Sequence, residues 1–520
     1  MIRTTLTVML LAGVVSGTLA AQYDIIVRGG RVLDGSGNPW RRVDVAVAAG
    51  RIAAVGNLTG ASAERVIDAA GLYVAPGFID AHSHAGPALA TPELSHARPL
   101  LAQGITTVVV NPDGGGPTDL IAQRAALERD GLGVNVALLV PHGSLRGAVI
   151  GMQDRAPSAD ELGRMEEMTR EGMEAGAFGL STGLYYAPGS YSDTEEVIAL
   201  ARVASAYGGI YTSHVRDEAD YNVGVIAALD EVIRIAREAD LPAVHTHVKA
   251  LGPRVWGFSS AIVHRIDRAR EEGLEIYADQ YPYEASATGV SASLIPRWAQ
   301  VGGNDSLLAR LSSPNTWPRI RAEIVENFDR RGGADRLQVR RYVPNPALEG
   351  RTLADIARER GVAPPDLVRS LLMDGDGGVV SFNMHEDDVR TLMQPAWTMT
   401  ASDGDLVPMG EGVPHPRSYG TFPRKIRHYA YEQNVVPLSQ AIRSMTGLPA
   451  AVLRMDDRGM LIVGRQADLV VFDMERLRDV ATYQHPHQLA EGMVYVMVNG
   501  RLAIDGGEFT GVWAGDVLRR

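Results

Sequence analysis

Val74-Ala75-Pro76-Gly77-Phe78-Ile79-Asp80-Ala81-His82-Ser83-His84 runs from an apolar stretch straight into two histidines. A short apolar run of this kind has the character of a buried strand. Residues two apart on a strand face the same side, so His82 and His84 can reach one point in space. A lone histidine is more often a packed core or surface residue; a pair at strand spacing after an apolar run is suited to hold a metal.

Working outward, apolar runs recur with amphipathic helical segments between them. Strand candidates are Gly77 to Ala81, Thr106 to Val110, Val136 to Val140, Gly179 to Leu180, Gly209 to Thr212, Ala243 to Thr246, Ile276 to Asp279 and Met399 to Ala401. Eight strands in βα repetition predict an α/β fold, a TIM-type (β/α)8 barrel, whose reactive residues sit at the carboxyl ends of the strands. The polar residues at those ends are His82, His84, Asp113, His214, His247, Lys249, Tyr281 and Asp403. The gap between the last two strands is far longer than a βα loop needs, and Arg297 to Thr391 within it reads as an inserted, lid-like segment near the mouth.

The flanks have a different texture. From Tyr23 to about Val74, apolar and polar residues alternate between glycine turns, which predicts short antiparallel strands. The same pattern returns in Ala467 to Asp473 and in Val494 to Ile504, the latter folding back at Asn499-Gly500, a strong two-residue hairpin turn. The expected organisation is a small β-sandwich from both termini (residues 21–75 and 456–520) around a barrel at 76–455. Residues 1–20 carry Arg3, an apolar run from Val8 to Val15 and small residues at Thr18-Leu19-Ala20. They read as a secretory signal peptide, so the chain is expected to be exported, periplasmic or secreted. The alternative, an uncleaved anchor, meets the difficulty that the run falls short of the roughly 20 residues a span needs. No membrane insertion is expected after cleavage.

Composition excludes several classes of function. The 520 residues carry 50 basic and 62 acidic side chains, a net charge of -12, with no basic block to neutralise phosphates; nucleic acid is not an expected partner. There is no cysteine, so thiolate zinc sites, iron-sulfur clusters and cysteine nucleophiles are ruled out. Any metal must be held by histidine and carboxylate.

Lys249 and Lys425 are the only lysines in an arginine-rich chain. A lysine kept against such a bias marks a place where a planar guanidinium does not serve, or is retained by chance. Lys249 shares a strand face with His247, which suggests a compact cation that anchors a substrate carboxylate. His245, one step deeper, reads as a buried structural residue. Asp403, in Thr400-Ala401-Ser402-Asp403-Gly404, either caps the following segment or acts as the general base that moves a proton from water to a leaving amine.

These segments, with Gly179-Leu180-Ser181-Thr182-Gly183-Leu184-Tyr185-Tyr186, Ser213-His214-Val215-Arg216-Asp217-Glu218, Thr246-His247-Val248-Lys249, Asp279-Gln280-Tyr281-Pro282-Tyr283, His415-Pro416-Arg417 and Gly420-Thr421-Phe422-Pro423-Arg424, resemble the N-acyl-D-amino-acid deacylase branch of the amidohydrolases. The likeness spans nearly all of the chain after the leader. It implies a barrel with a small β-sandwich, and zinc, one or two ions or another divalent metal, that activates water against the amide of a small N-acyl-D-amino acid. By position it implies His82, His84, His214 and His247 as metal ligands and Asp403 as the catalytic aspartate. It implies Lys249, Tyr281 and Arg417 as the groups that hold the substrate's α-carboxylate.

One departure stands out. Relatives usually place a ligating cysteine after the second strand, in a Gly-Asn-Cys-Gly context; here Val110-Asn111-Pro112-Asp113-Gly114 puts Asp113 in that place. Asp113 is either a ligand, harder than thiolate and able to bridge two metals, or the residue that opens the following glycine turn. No lysine precedes Lys249, so the carboxylated strand-four lysine of other amidohydrolases has no counterpart. The competing expectations are hydrolysis of a D-residue dipeptide, cyclic amide or lactone, and an exported metal-binding protein without turnover. Side-chain preference and oligomeric state are not legible.

Overall fold

The computed structural model describes residues 21–520, so the expected signal peptide lies outside the described residues. Eight parallel strands form the barrel: β1 (Phe78–Asp80), β2 (Ile105–Val110), β3 (Asn135–Leu138, continued by Val140–Pro141), β4 (Gly179–Gly183), β5 (Ile210–His214), β6 (Ala243–His245), β7 (Ile276–Gln280) and β8 (Thr398–Thr400). Neighbours pair in chain order, as in Ser213 with His245 and Asp279 with Met399. The ring closes where Ser83 bridges Gly404 and the Asp403 amide donates to the His82 carbonyl. β2, Ile-Thr-Thr-Val-Val-Val, is buried at every position because helices cover one face and the barrel interior the other.

The interior is a packed core. Ile79, Val109, Ala137, Leu139, Phe178, Ile210, Val244 and Met399 fill it, and Leu448, Leu453 and Met455 plug its lower end. His245 is fully buried within β6, and burial pushes its imidazole down to about 3, so it stays neutral. The surrounding helices start where their sequences provide caps. Ala159–Glu174 opens with a Ser158/Glu161 capping box, and Thr194–Ala206 opens on Asp193. Val225–Ala239 turns Val225, Leu229, Val232, Ile233 and Ala236 inward at helical spacing.

Strands from both ends of the chain share one nine-stranded sheet. The seam is the antiparallel pairing of Tyr73–Pro76 with Leu469–Phe472, in which Ala75 faces Val470. The hairpin turn falls at Asn499-Gly500, both with positive φ, between Met493–Val498 and Arg501–Asp505. The expectation of purely antiparallel pairing at the amino end needs correction. Tyr23–Val32 pairs in parallel with Ala63–Asp68 along its first half and with Tyr73–Pro76 along its second, bending at a bulge between Val27 and Gly30. The C-terminal segment runs under the barrel: Val517 bridges Val136 of β3, and Arg124 donates to the Val517 carbonyl across 2.7 Å.

The insertion between β7 and β8 begins earlier than Arg297. Ser286–Gly289 pairs with Gly378–Ser381, which pairs in turn with Leu337–Arg341. Helices including Trp317–Arg330 and Pro364–Asp374 pack on this small sheet around a core of their own, with Leu294, Leu311, Ile320, Ile324, Leu367 and Val379. Ser286–Gly289, Arg331 and Arg340 bring the insertion to the rim of the pocket at the carboxyl ends of the strands.

Candidate metal centre

That pocket, about 690 Å³, is lined by every residue expected to bind metal or substrate or to move a proton except His82, which is buried beside it. β1 and β8 are stitched together beneath it, because Asp80 accepts from both the backbone amide and the hydroxyl of Ser402. His82 and Asp403 therefore emerge side by side. Loops hold three of the candidate residues in uncommon backbone conformations: Asp113 (φ 55°), His247 (φ 36°) and Asp403 (φ 49°) are all left-handed. Such conformations persist where the surroundings over-determine them. The His247 amide is pinned by Asp279 at 2.6 Å, and the Ser181 hydroxyl donates to the Asn111 carbonyl while accepting from the Gly114 amide. Gly183 must lack a side chain, since a Cβ there would lie 2.2 Å from the Asp113 carbonyl oxygen.

Six potential ligands form two groups that share one carboxylate. His82, His84, Asp113 and Asp403 make the first; Asp113, His214 and His247 make the second. His84 Nε2 lies 3.1 Å from Asp403 Oδ1 and 3.4 Å from Asp113 Oδ2. Asp113 Oδ1 lies 3.5 Å from His82 Nε2, 3.4 Å from His247 Nε2 and 3.8 Å from His214 Nδ1.

The donor set fits a divalent cation. His82 Nε2, His214 Nδ1 and Asp113 Oδ1 are buried without a hydrogen-bond partner. Orphaned polar atoms are rare in native interiors, and here they converge. Burial pushes the His214 imidazole down to about 3, leaving it neutral with a lone pair to give. Burial pushes the Asp113 carboxyl up, but His82 and His247 more than offset this and hold it well below the usual carboxylate range. Imidazole nitrogens with carboxylate oxygens suit zinc and its first-row neighbours.

The residues expected to hold a carboxylate gather on one side. Lys249 Nζ lies 5.7 Å from the centre of the Tyr281 ring, and the Arg417 guanidinium carbon 4.6 Å from it. Neither cation stands alone. Lys249 donates to Glu218 at 2.6 Å and contacts His247 Nδ1 at 2.7 Å, while Arg417 reaches Asp403 at 2.7 Å. Sequence reasoning gave no role to Glu218, to the Asp80–Ser402 clasp or to Asp279. The one signal for Glu218 was an acidic residue four positions after the β5 histidine; its neighbour Asp217 instead ties the loop by accepting from the amides of Ala219, Asn222 and Gly224.

The amidohydrolase family model matches residues 65–504. The chain belongs to the amidohydrolase family. It is 36% identical to D-aminoacylase of Alcaligenes xylosoxydans xylosoxydans, over 96% of this amidohydrolase and 98% of the relative. It is 37% identical to N-acyl-D-glutamate deacylase of the same organism, over 92% and 93%. The crystal structure of a D-aminoacylase superposes with a TM-score of 0.81 at 35% identity, covering 96% of this chain and all of that one. N-acyl-D-glutamate deacylase of Bordetella bronchiseptica, solved with zinc and a phosphonate mimic of the tetrahedral intermediate, gives 0.82 at 36% identity, with the same coverage. This amidohydrolase thus falls in the D-aminoacylase branch, as the sequence motifs implied. No helix among the described residues is long and apolar enough to cross a membrane.

Proposed function

We propose that this amidohydrolase hydrolyses the amide of N-acyl-D-amino acids, releasing a carboxylic acid and a free D-amino acid, and that it does so after export. The leader-like pattern of residues 1–20 supports the location. One observation carries the substrate reading: two cations, Lys249 and Arg417, flank Tyr281 in the wall of the pocket that holds the ligand cluster. Paired cations beside a phenol suit a free α-carboxylate, and fixing that group places the neighbouring amide over the ligand cluster.

His82, His84, Asp113, His214 and His247 would hold the metal, with Asp113 shared between the two ligand groups. Zinc bound there supplies a Lewis acid that polarises the carbonyl and lowers the pKa of water. Asp403 is the proton carrier. Burial pushes its carboxyl up, but Arg417, His247 and His84 hold it well below the usual range, so it is ionised and able to accept a proton from the attacking water. It then returns that proton to the departing amine. Arg417, within reach of both Asp403 and the carboxylate position, ties substrate orientation to the proton carrier.

The test is amine release from paired N-acetyl-D- and N-acetyl-L-amino acids by metal-stripped protein with and without zinc. Zinc-dependent turnover confined to the D series is the expected result. Turnover of cyclic amides or dipeptides with both acetyl series inert would overturn the substrate class.

A further inference from the structure

Glu218 is buried at the base of the pocket and belongs to neither ligand group. Its two oxygens divide between two histidines. Oε1 lies 3.0 Å from His247 Nδ1, and Oε2 lies 3.7 Å from His214 Nε2. In each ring it is the opposite nitrogen, His247 Nε2 or His214 Nδ1, that faces Asp113. The two imidazoles are thus presented in opposite senses, and one carboxylate backs both. Lys249 Nζ closes the arrangement at 2.6 Å from Glu218 Oε1.

We propose that Glu218 is the positioning residue of the second ligand group, orienting His214 and His247 together, and that Lys249 in turn holds Glu218 in place. The inference rests on the reading of His214 and His247 as ligands. An imidazole that gives one nitrogen to a cation carries its proton on the other, and that N–H needs an acceptor to fix the tautomer and the ring plane. For His247 the acceptor is Glu218 Oε1. The Lys249 ammonium, 2.6 Å from Oε1, pairs with the buried carboxylate and offsets the cost of burying it.

The experiment is competition for zinc between a chelator and the full chain, comparing wild type, Glu218→Ala, Glu218→Gln and the double variant Glu218→Met with Lys249→Met. The double variant removes both charges at nearly constant volume and guards against Glu218→Ala failing to fold. The expected loss of zinc affinity is about 10- to 100-fold in Glu218→Ala and the double variant, with Glu218→Gln nearer wild type because its amide oxygen still accepts from Nδ1–H. Histidine 15N spectra of zinc-loaded wild type should show a protonated Nδ1 on one ligand ring and a protonated Nε2 on another. Zinc affinities within about twofold of wild type in Glu218→Ala or in the double variant would overturn the role of Glu218 alone. A wild-type chain that binds no zinc would overturn the ligand set and this inference with it.

Discussion

Arg417 reaches Asp403 Oδ2 across 2.7 Å, and both side chains are buried. The proposed proton carrier is thereby held ionised by a residue that also faces the proposed position of the substrate carboxylate. Asp403→Asn keeps the shape of the side chain and removes its basicity. Turnover should fall roughly 100- to 10,000-fold, the usual contribution of a general acid–base. Zinc content measured by elemental analysis should fall far less, since five other ligands remain across the two groups. Near-normal turnover in this variant would remove Asp403 from the mechanism.

Arg417→Met separates recognition of the carboxylate from the rest of binding. For an N-acetyl-D-amino acid, kcat/KM should drop by about 100-fold or more, matching loss of a buried charge-assisted pair. For the corresponding α-carboxamide, expected to be a poor substrate from the outset, the same change should cost much less. Equal losses on acid and amide would show that Arg417 acts only through Asp403.

Asp113 is the residue common to both ligand groups, so Asp113→Ala should deplete metal from both, read as zinc retained after dialysis. Asp113→Cys offers a softer ligand at the same place. It should raise affinity for zinc relative to manganese, measured by competition between the two ions. An unchanged preference would mean that Asp113 shapes the Gly114 turn without touching metal.

Lys425 provides a pH test away from the ligands. It is fully buried, donates to Thr400 Oγ1 at 2.9 Å, and burial pushes its ammonium down from 10.5 to about 7. Between those values the unfolded chain binds more protons than the folded one, so stability rises with pH across that window. The cost is complete below about pH 7 and is relieved towards pH 10.5. Lys425→Met should therefore stabilise the protein most at pH 6, by roughly 2 to 4 kcal/mol, with the gain shrinking towards pH 10. Thermal unfolding at the two pH values checks it; a gain that grows with pH would refute the sign.

The barrel was legible because its strands carry short apolar runs that end beside a polar residue, as Val108-Val109-Val110 before Asn111 and Ala243-Val244 before His245, a pattern set by burial. The clustering of His82, His84, His214 and His247 followed from those ends, and the loop residue Asp113 joined them through its place after β2. Three features were not legible, each for a tertiary reason. Ser-Ala-Thr-Gly at 286–289 has no strand pattern of its own and becomes a strand only by pairing with Gly378–Ser381. The parallel pairing of Tyr23–Val32 depends on where a distant turn returns the chain. Glu218 gains its place from the loop that Asp217 ties, and nothing in its immediate sequence announces that it faces two histidines at once.

The seam between Tyr73–Pro76 and Leu469–Phe472 sets the order in which the molecule can be assembled. The early strands leave the ribosome long before the partner that completes their sheet, so their hydrogen-bonding edge waits through synthesis of the whole barrel. A topology closed by so distant a contact folds slowly and exposes apolar strands meanwhile. Under the proposed export, in which the chain is threaded unfolded through a translocation channel, that delay is an asset. Substitutions that weaken the late strands, such as Val470→Ala opposite Ala75, should therefore lower the yield of folded protein more than they lower the melting temperature of what does fold.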